Sequence, residues 1–250
     1  MTDADVADQP MILLVVGGDA RAPAPIPATL PAGSVVVAAD SGLDRLAEGI
    51  LAVDHVVGDL DSVSPEALAH AASHGATIHR HLADKDATDI ELAIDLILHR
   101  IVPDTGLTSL LVVGSGGGRL DHLLADLSLL TSPALRALHV TARIGAARIS
   151  VVRPGVAVQL TGTPGLQVSL VPMHGPAGGV TTDGLRWSLI DADLVSGTTR
   201  ALSNEFVAPV ATVAISSGVV AAIVPGTTGA PIEPRSTPYD PSPRAQPGSN

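Results

Sequence analysis

The sequence predicts an α/β protein: an N-terminal parallel sheet with helices on both faces, followed by a smaller C-terminal all-β sandwich domain. Three observations carry that expectation. From residue 11 to about 138, short apolar runs alternate with longer helical patterns, the mark of a parallel sheet covered by helices. Beyond about residue 150 helical periodicity disappears, and β-prone runs recur between Gly, Pro, Thr and Asp turns. Finally, 46% of the 250 residues are apolar, enough for a sizeable core.

The elements follow in chain order. Residues 1–10 read as a disordered lead, whose three aspartates stand where a secretory signal carries positive charge. In the α/β domain, residues 11–150, strands are expected at 11–16, 35–39, 55–57, 77–78 and 110–113. Helices are expected at 43–49, 65–73, 89–100 and 120–130, with Ser64 capping the second and Pro65 in its first turn. In the β domain, residues 151–226, strands are expected at 156–160, 167–171, 208–215 and 219–224. Residues 227–250 form a Pro-rich segment almost without apolar side chains, read as a disordered tail.

Composition narrows the function classes. Aromatics are 1% of the chain, so there is no stacking platform for single-stranded nucleic acid. A formal charge of −11 repels phosphate backbones and anionic membrane surfaces alike, so neither nucleic acid nor membrane is an expected partner. Without cysteine, disulfides, thiolate zinc sites and a cysteine nucleophile are excluded. A soluble, cytoplasmic protein is expected.

Strand ends carry the chemistry, because ligands of an open α/β sheet bind outside the carboxyl ends of its strands. Gly17-Gly18-Asp19, Asp40-Ser41-Gly42, Gly58-Asp59-Leu60-Asp61 and Gly114-Ser115-Gly116 fall there. Asp59 and Asp61 can converge on one hard cation, for which magnesium is suited, but taken alone the motif reads first as a strand end with Asp61 or Ser62 capping the next helix. In DKDATD, Asp86 or Thr88 can cap the next helix while Asp89 favours its positive end. Lys85 is the only lysine beside thirteen arginines, and it sits between Asp84 and Asp86 as a compact charge suited to phosphate. The loop before residue 120 is glycine-rich and runs into Arg119, Asp121 and His122, so backbone amides and a guanidinium can approach a phosphate. It matches neither the dinucleotide fingerprint nor the P-loop. His70 and His74 stand at i, i+4 and read as an exposed helix face. Trp187 in GLRWSL reads as a core or interface residue, or as a face for a planar or cationic ligand. These motifs alone also permit another magnesium-dependent nucleotide transferase, a pyrophosphohydrolase, or a nonenzymatic cofactor-binding regulator.

In combination and order, the chain resembles the thiamin pyrophosphokinase (thiamin diphosphokinase) family. The matching segments are AADSG at 38–42, VVGDLDS at 56–62, KDATDIELA at 85–93, GGRLDHLLADL at 117–127, VSLVPM at 168–173, GLRWSL at 184–189 and the pair Ser203, Asn204. The resemblance implies an α/β catalytic domain, a thiamin-binding β-sandwich, and a homodimer with active sites between subunits. It implies transfer of diphosphate from ATP to the thiamin hydroxyl, giving AMP and thiamin diphosphate. By the same carry-over Asp59, Asp61 and Asp89 hold Mg2+ and, with Arg119, are catalytic. Asp40, Lys85, Asp86 and Thr88 join Arg119, Asp121 and His122 at ATP, while Trp187, Ser203 and Asn204 line the thiamin pocket. The family's usual D-G-G-A-N reads here Asp40-Ser41-Gly42-Leu43-Asp44, which leaves open how closely a ligand approaches at Ser41 and what Asp44 contacts.

Overall fold

The structure is a computed structural model that describes residues 9–18, 23–46, 51–82, 84, 86–115 and 119–226. Its first half is built on five apolar strands: β1 (Ile12–Val16), β2 (Val35–Ala39), β3 (His55–Gly58), β4 (Thr77–Arg80) and β5 (Ser109–Gly114). They pair in parallel in the order β4-β3-β2-β1-β5, extended beyond β5 by β6 (His139–Ile144), also parallel.

Both faces of this sheet are covered. Ile12 and Leu14 pack with Ile90, Ala93 and Ile94 of α2 (Asp89–Leu96) and with Leu130 of α4 (Leu120–Thr131). Leu13 and Val15, one residue out of phase, pack with Ala67 and Ala71 of α1 (Pro65–Ser73). The two-residue period thus sends alternate side chains into two cores, and strands buried on both sides read as continuous apolar runs. Burying each Leu, Ile or Val of β1 stabilises the fold by about 1.5–3 kcal/mol.

Capping follows the sequence. The Ser64 hydroxyl accepts from Ala67 N–H and Thr88 Oγ1 from Glu91 N–H, fixing the starts of α1 and α2. Past residue 96 the second helix continues through a π-helical turn, Ile97–Ile101, into α3 (Val102–Thr105) before Gly106 ends it at φ 72°. Pro103 explains the widened turn, since it cannot donate to the carbonyl one turn back.

A helix at 43–49 is not formed over its described part. Asp40–Gly42 is a 3₁₀ turn, and the Leu43 N–H to Asp40 and Leu46 N–H to Leu43 carbonyl bonds continue i to i+3 turns. A Cβ on Gly42 would collide with the Val15 carbonyl, so this segment lies directly on the end of β1.

The sequence reading also missed a hairpin. β7 (Ala147–Val152) folds back on β6 through Gly145 at φ 57°, as tight hairpin turns require, and bonds in turn to β13 (Ser217–Val224). The ladder therefore runs through residue 150 without a break. Beyond it, β8 (Val158–Thr161), β9 (Gln167–Asp183), β10 (Ala192–Leu194), β11 (Asn204–Glu205) and β12 (Val210–Ala214) pair antiparallel. β9 is far longer than the five residues expected of it. Between its pairings with Val219 and Ser217 it advances from Met173 to Gly178, and the extra residues include His174 and Gly175 at positive φ. This bulge lets one strand bond first to β13 and then to β12 around the second core of Val168, Leu170, Phe206 and Val213. Nearly all of the lead and the whole of the tail fall outside the described residues. Among the described residues, no helix is long and apolar enough to cross a membrane.

Candidate functional site

The carboxyl ends of β1, β2, β3 and β5 meet at one edge, and three carboxylates converge there. Asp40 follows β2, Asp59 follows β3 and Asp89 opens α2; each offers an oxygen, and these lie within 4.8 Å of one another. Backbone geometry makes this possible. Asp40 is held at φ 44°, and Gly58, at φ 148°, leaves room where a Cβ would stand 3.1 Å from Asp89 Oδ1 and 3.2 Å from Asp40 Cβ. Burial raises the Asp40 carboxyl above the usual range, and repulsion from Asp89, Asp59 and Asp61 adds to it against an opposing Ser41 N–H bond. Asp40 Oδ1 is buried without a hydrogen-bond partner. A hard divalent cation fits such a site, because it would neutralise the crowded charge and use the stranded oxygen.

Asp61 lies outside this group. It is exposed, its Oδ1 accepts from Ser62 Oγ at 2.9 Å, and its N–H points to Asp59 Oδ1 at 3.4 Å. Its own carboxylate acts on Asp40 by repulsion.

A cavity of about 480 Å³ opens beside Asp40 and Asp89, walled by Gly17, Gly18, Ser115, Arg119 and His122 and floored by Val112 and Leu130. Thr88 reaches it while capping α2; Asp86 is exposed and outside its lining. Arg119 forms a bidentate pair with Asp121 (Nε–Oδ1 3.1 Å, Nη2–Oδ2 2.5 Å), which holds the Asp121 carboxyl down to about 2. Among the described residues no side chain caps the first N–H groups of α4, so the helix start beside Arg119 can take an anion. Lys85, Gly117 and Gly118 lie outside the described residues.

The two departures in the strand-end motif are absorbed locally. The Ser41 hydroxyl occupies the space over Gly17, where a Cβ would overlap it. Asp44 accepts from the Ser64 hydroxyl at 2.6 Å and from its N–H at 3.2 Å, pinning the end of the GDLDS loop to the turn after β2.

Three contributors escaped the sequence reading. Arg45 donates to the carbonyls of Val16 (2.9 Å), Val113 (3.1 Å) and Ala24 (2.7 Å), tying together the ends of β1 and β5 that wall the cavity. Arg80 donates to Asp59 O at 3.2 Å. Asp126 lines the cavity with its carboxyl raised by burial, and its i+4 spacing from His122 was a usable signal.

Trp187, Ser203 and Asn204 come together in the other half of the molecule. Trp187 is 47% exposed, with the Arg186 guanidinium 5.1 Å from its ring centroid and Arg186 itself paired to Glu205 at 2.8 Å. Asn204 is buried and holds the Trp187 backbone; Ser203, at φ 54°, is exposed and donates its N–H to Ser169 Oγ at 3.1 Å. From β2 to β9 the ladder takes six strand-to-strand steps of roughly 4.8 Å, so within one chain Trp187 and the carboxylates belong to separate stretches of the ladder.

Residues 28–142 match the family model described as thiamin pyrophosphokinase, catalytic domain, and residues 157–220 match thiamin pyrophosphokinase, vitamin B1 binding domain. Thiamine pyrophosphokinase 2 of rice (Oryza sativa subsp. japonica) is 29% identical over 163 residues, which is 60% of this chain and 57% of the rice protein, less than two thirds of its length. Thiamine pyrophosphokinase of Bacillus subtilis is 25% identical over 185 residues, 74% of this chain and 84% of that protein. The crystal structure of a Bacillus subtilis thiamine pyrophosphokinase superposes with a TM-score of 0.72 at 22% identity, covering 87% of this chain and 99% of that one. That of an Enterococcus faecalis family protein gives 0.69 at 27% identity, covering 86% and 98%.

Proposed function

The chain belongs to the thiamin pyrophosphokinase family, and on that premise we propose that it transfers the diphosphoryl group of ATP to the hydroxyl of thiamin. The convergence of Asp40, Asp59 and Asp89 beside a cavity of nucleotide size is the observation that carries the reading. In the reaction the thiamin hydroxyl oxygen bonds to the β-phosphorus of ATP, the bond from that phosphorus to the oxygen bridging it to the α-phosphorus breaks, and AMP leaves with that oxygen. The hydroxyl proton departs to solvent or to a nearby carboxylate.

Mg2+ held by Asp40, Asp59 and Asp89 would supply charge neutralisation at the phosphates. Arg119, at the open start of α4, exchanges Asp121 for a phosphate oxygen, which is a fork-to-fork substitution. Thr88 and Asp86 stand on the α2 side of the cavity and would approach ATP there, Lys85 would join them as the resemblance implies, and His122 closes the cavity wall. Asp61, exposed near the carboxylates, would orient the incoming hydroxyl. Diphosphoryl transfer asks mainly for such positioning and charge, so the lack of a P-loop is consistent with it.

Thiamin is a cation with a flat aminopyrimidine, and one face of Trp187 is taken by Arg186, leaving the exposed ring to stack on the substrate. Because one chain separates Trp187 from its carboxylates, the proposed assembly is a homodimer in which Trp187 of one subunit completes the site of the other. Exposed Ile190, Val195 and Val207 of the same half supply apolar surface for that contact.

The test is AMP formation from ATP with and without thiamin, in magnesium and in chelator. Thiamin-dependent AMP release that chelator abolishes supports the reading. Thiamin-independent release identifies a pyrophosphohydrolase, and binding without turnover identifies a regulator; either overturns it.

A further inference from the structure

The β6–β7 hairpin carries a second polar cluster, on the sheet face away from Val140, Ala142 and Ile149 of the first core. In its ladder Thr141 stands directly opposite Ser150, and Arg143 directly opposite Arg148. All four line a cavity of about 180 Å³ closed by Pro27, Leu30 and Leu111 of the neighbouring crossover and strand.

Directly opposed residues of an antiparallel pair have Cβ atoms about 4.5–5.5 Å apart, and like charges so placed destabilise each other. The arrangement is nonetheless built rather than incidental. Arg148 is fixed by donating to Thr161 Oγ1 at 2.9 Å and to Thr161 O at 2.5 Å. Arg143 is half-buried and, among the described residues, makes no side-chain hydrogen bond or ion pair. Among the described residues no carboxylate lines the cavity, although the chain as a whole carries −11. Two guanidiniums and two hydroxyls therefore present donors to one small space.

We propose that the Arg143, Arg148, Thr141, Ser150 cavity is a second anion site, distinct from the acidic cavity, that takes a phosphate-class oxyanion. Its volume falls below the roughly 300–1,000 Å³ of sites for whole organic ligands, so it suits a phosphate or a terminal phosphate group and excludes a nucleotide. The occupant would relieve the Arg143–Arg148 repulsion and brace the hairpin through which the parallel half bonds, by way of β13, to the antiparallel half.

The test is thermal unfolding of the full chain in chelator, without thiamin or ATP, as inorganic phosphate is titrated at constant ionic strength. The wild type should rise saturably, by about 3 °C or more at roughly ten times the dissociation constant. Arg143→Gln should lose that rise and, at low salt without phosphate, melt above the wild type because the charge clash is gone. Ser150→Ala, which keeps both charges, should retain a weakened rise. A parallel arm with glycerol 3-phosphate separates a free-phosphate site, which responds to inorganic phosphate alone, from one for phosphate ends, which responds to both. An equal rise in Arg143→Gln, or no saturable rise in the wild type, overturns the proposal, and the phosphate increment decides whatever the starting stability of each variant.

Discussion

Asn204 grips the main chain of Trp187 at both ends: its Oδ1 accepts from the Trp187 N–H at 3.1 Å and its Nδ2 donates to the Trp187 carbonyl at 2.8 Å. The same Oδ1 takes the Glu205 N–H at 2.8 Å, so the amide of this buried side chain is spent on backbone. On the proposed function, Asn204 would act on thiamin through the tryptophan it positions. Asn204→Asp keeps the acceptor, loses the donor and faces a carbonyl with a carboxylate, a change costing about 1–3 kcal/mol. Thiamin KM should rise about tenfold while ATP KM stays within about twofold. A parallel rise in both would show that only the fold had been damaged.

Asp89→Asn and Asp61→Asn should part company. Asp89 belongs to the three-carboxylate group and Asp61 does not, so the first should lower kcat about 100-fold or more and the second about tenfold or less at saturating magnesium. Asp40→Asn should lose activity too, yet raise the melting temperature of the metal-free protein, since it removes a half-buried charge that its neighbours repel. Equal losses from Asp61 and Asp89 would return Asp61 to the metal site.

The strands and acidic motifs were legible because buried parallel strands write continuous apolar runs and because the acidic residues of the candidate site sit where those runs stop. Asp59 and Asp89 could be picked from their motifs. That Asp40 rather than Asp61 joins them depends on the positive φ at Asp40 and the missing Cβ of Gly58, which are backbone facts that no spacing encodes. The β6–β7 hairpin was obscured because Thr141, Arg143, Arg148 and Ser150 place polar groups inside both strands. β9 read as five residues because Pro172, Gly175, Pro176, Gly178 and Gly179 resemble turns, whereas here they bend a continuing strand.

Arg45 should prove essential to the cavity without touching substrate. Arg45→Met leaves three carbonyls without their donor and should cost about 2–4 kcal/mol, or roughly 5–15 °C in Tm. The variant that does fold should show a raised KM for ATP and a nearly unchanged KM for thiamin, since the strand ends it ties wall the nucleotide side. Arg45→Lys, with a point charge in place of the fork, should recover part of the stability and little of the ATP affinity. Full recovery by lysine would mean that charge alone matters there.

The histidine pair at the sheet edge should make stability fall in mild acid. His55 Nδ1 and His79 Nε2 lie 3.1 Å apart on adjacent strands β3 and β4, a contact that needs one ring to donate and the other to accept. Two protonated rings cannot make it. Burial pushes both imidazoles below their ordinary 6.5; at His79 the charges of His55, His81 and Arg100 push the same way, and at His55 the Asp54 carboxylate opposes. Above 6.5 both the folded and the unfolded chain hold these rings neutral, so the contact contributes in full. Between 6.5 and the lowered folded values the unfolded chain binds more protons, so stability declines as pH drops through that window. The urea midpoint of the wild type should fall from pH 7.5 to 5.5, and His79→Gln, which keeps a donor and an acceptor but does not titrate, should fall less. The loop bearing Asp59 begins where β3 ends, so the wild type should also lose activity over the same interval more steeply than the variant. Identical slopes in the two proteins would place the acid sensitivity elsewhere in the fold.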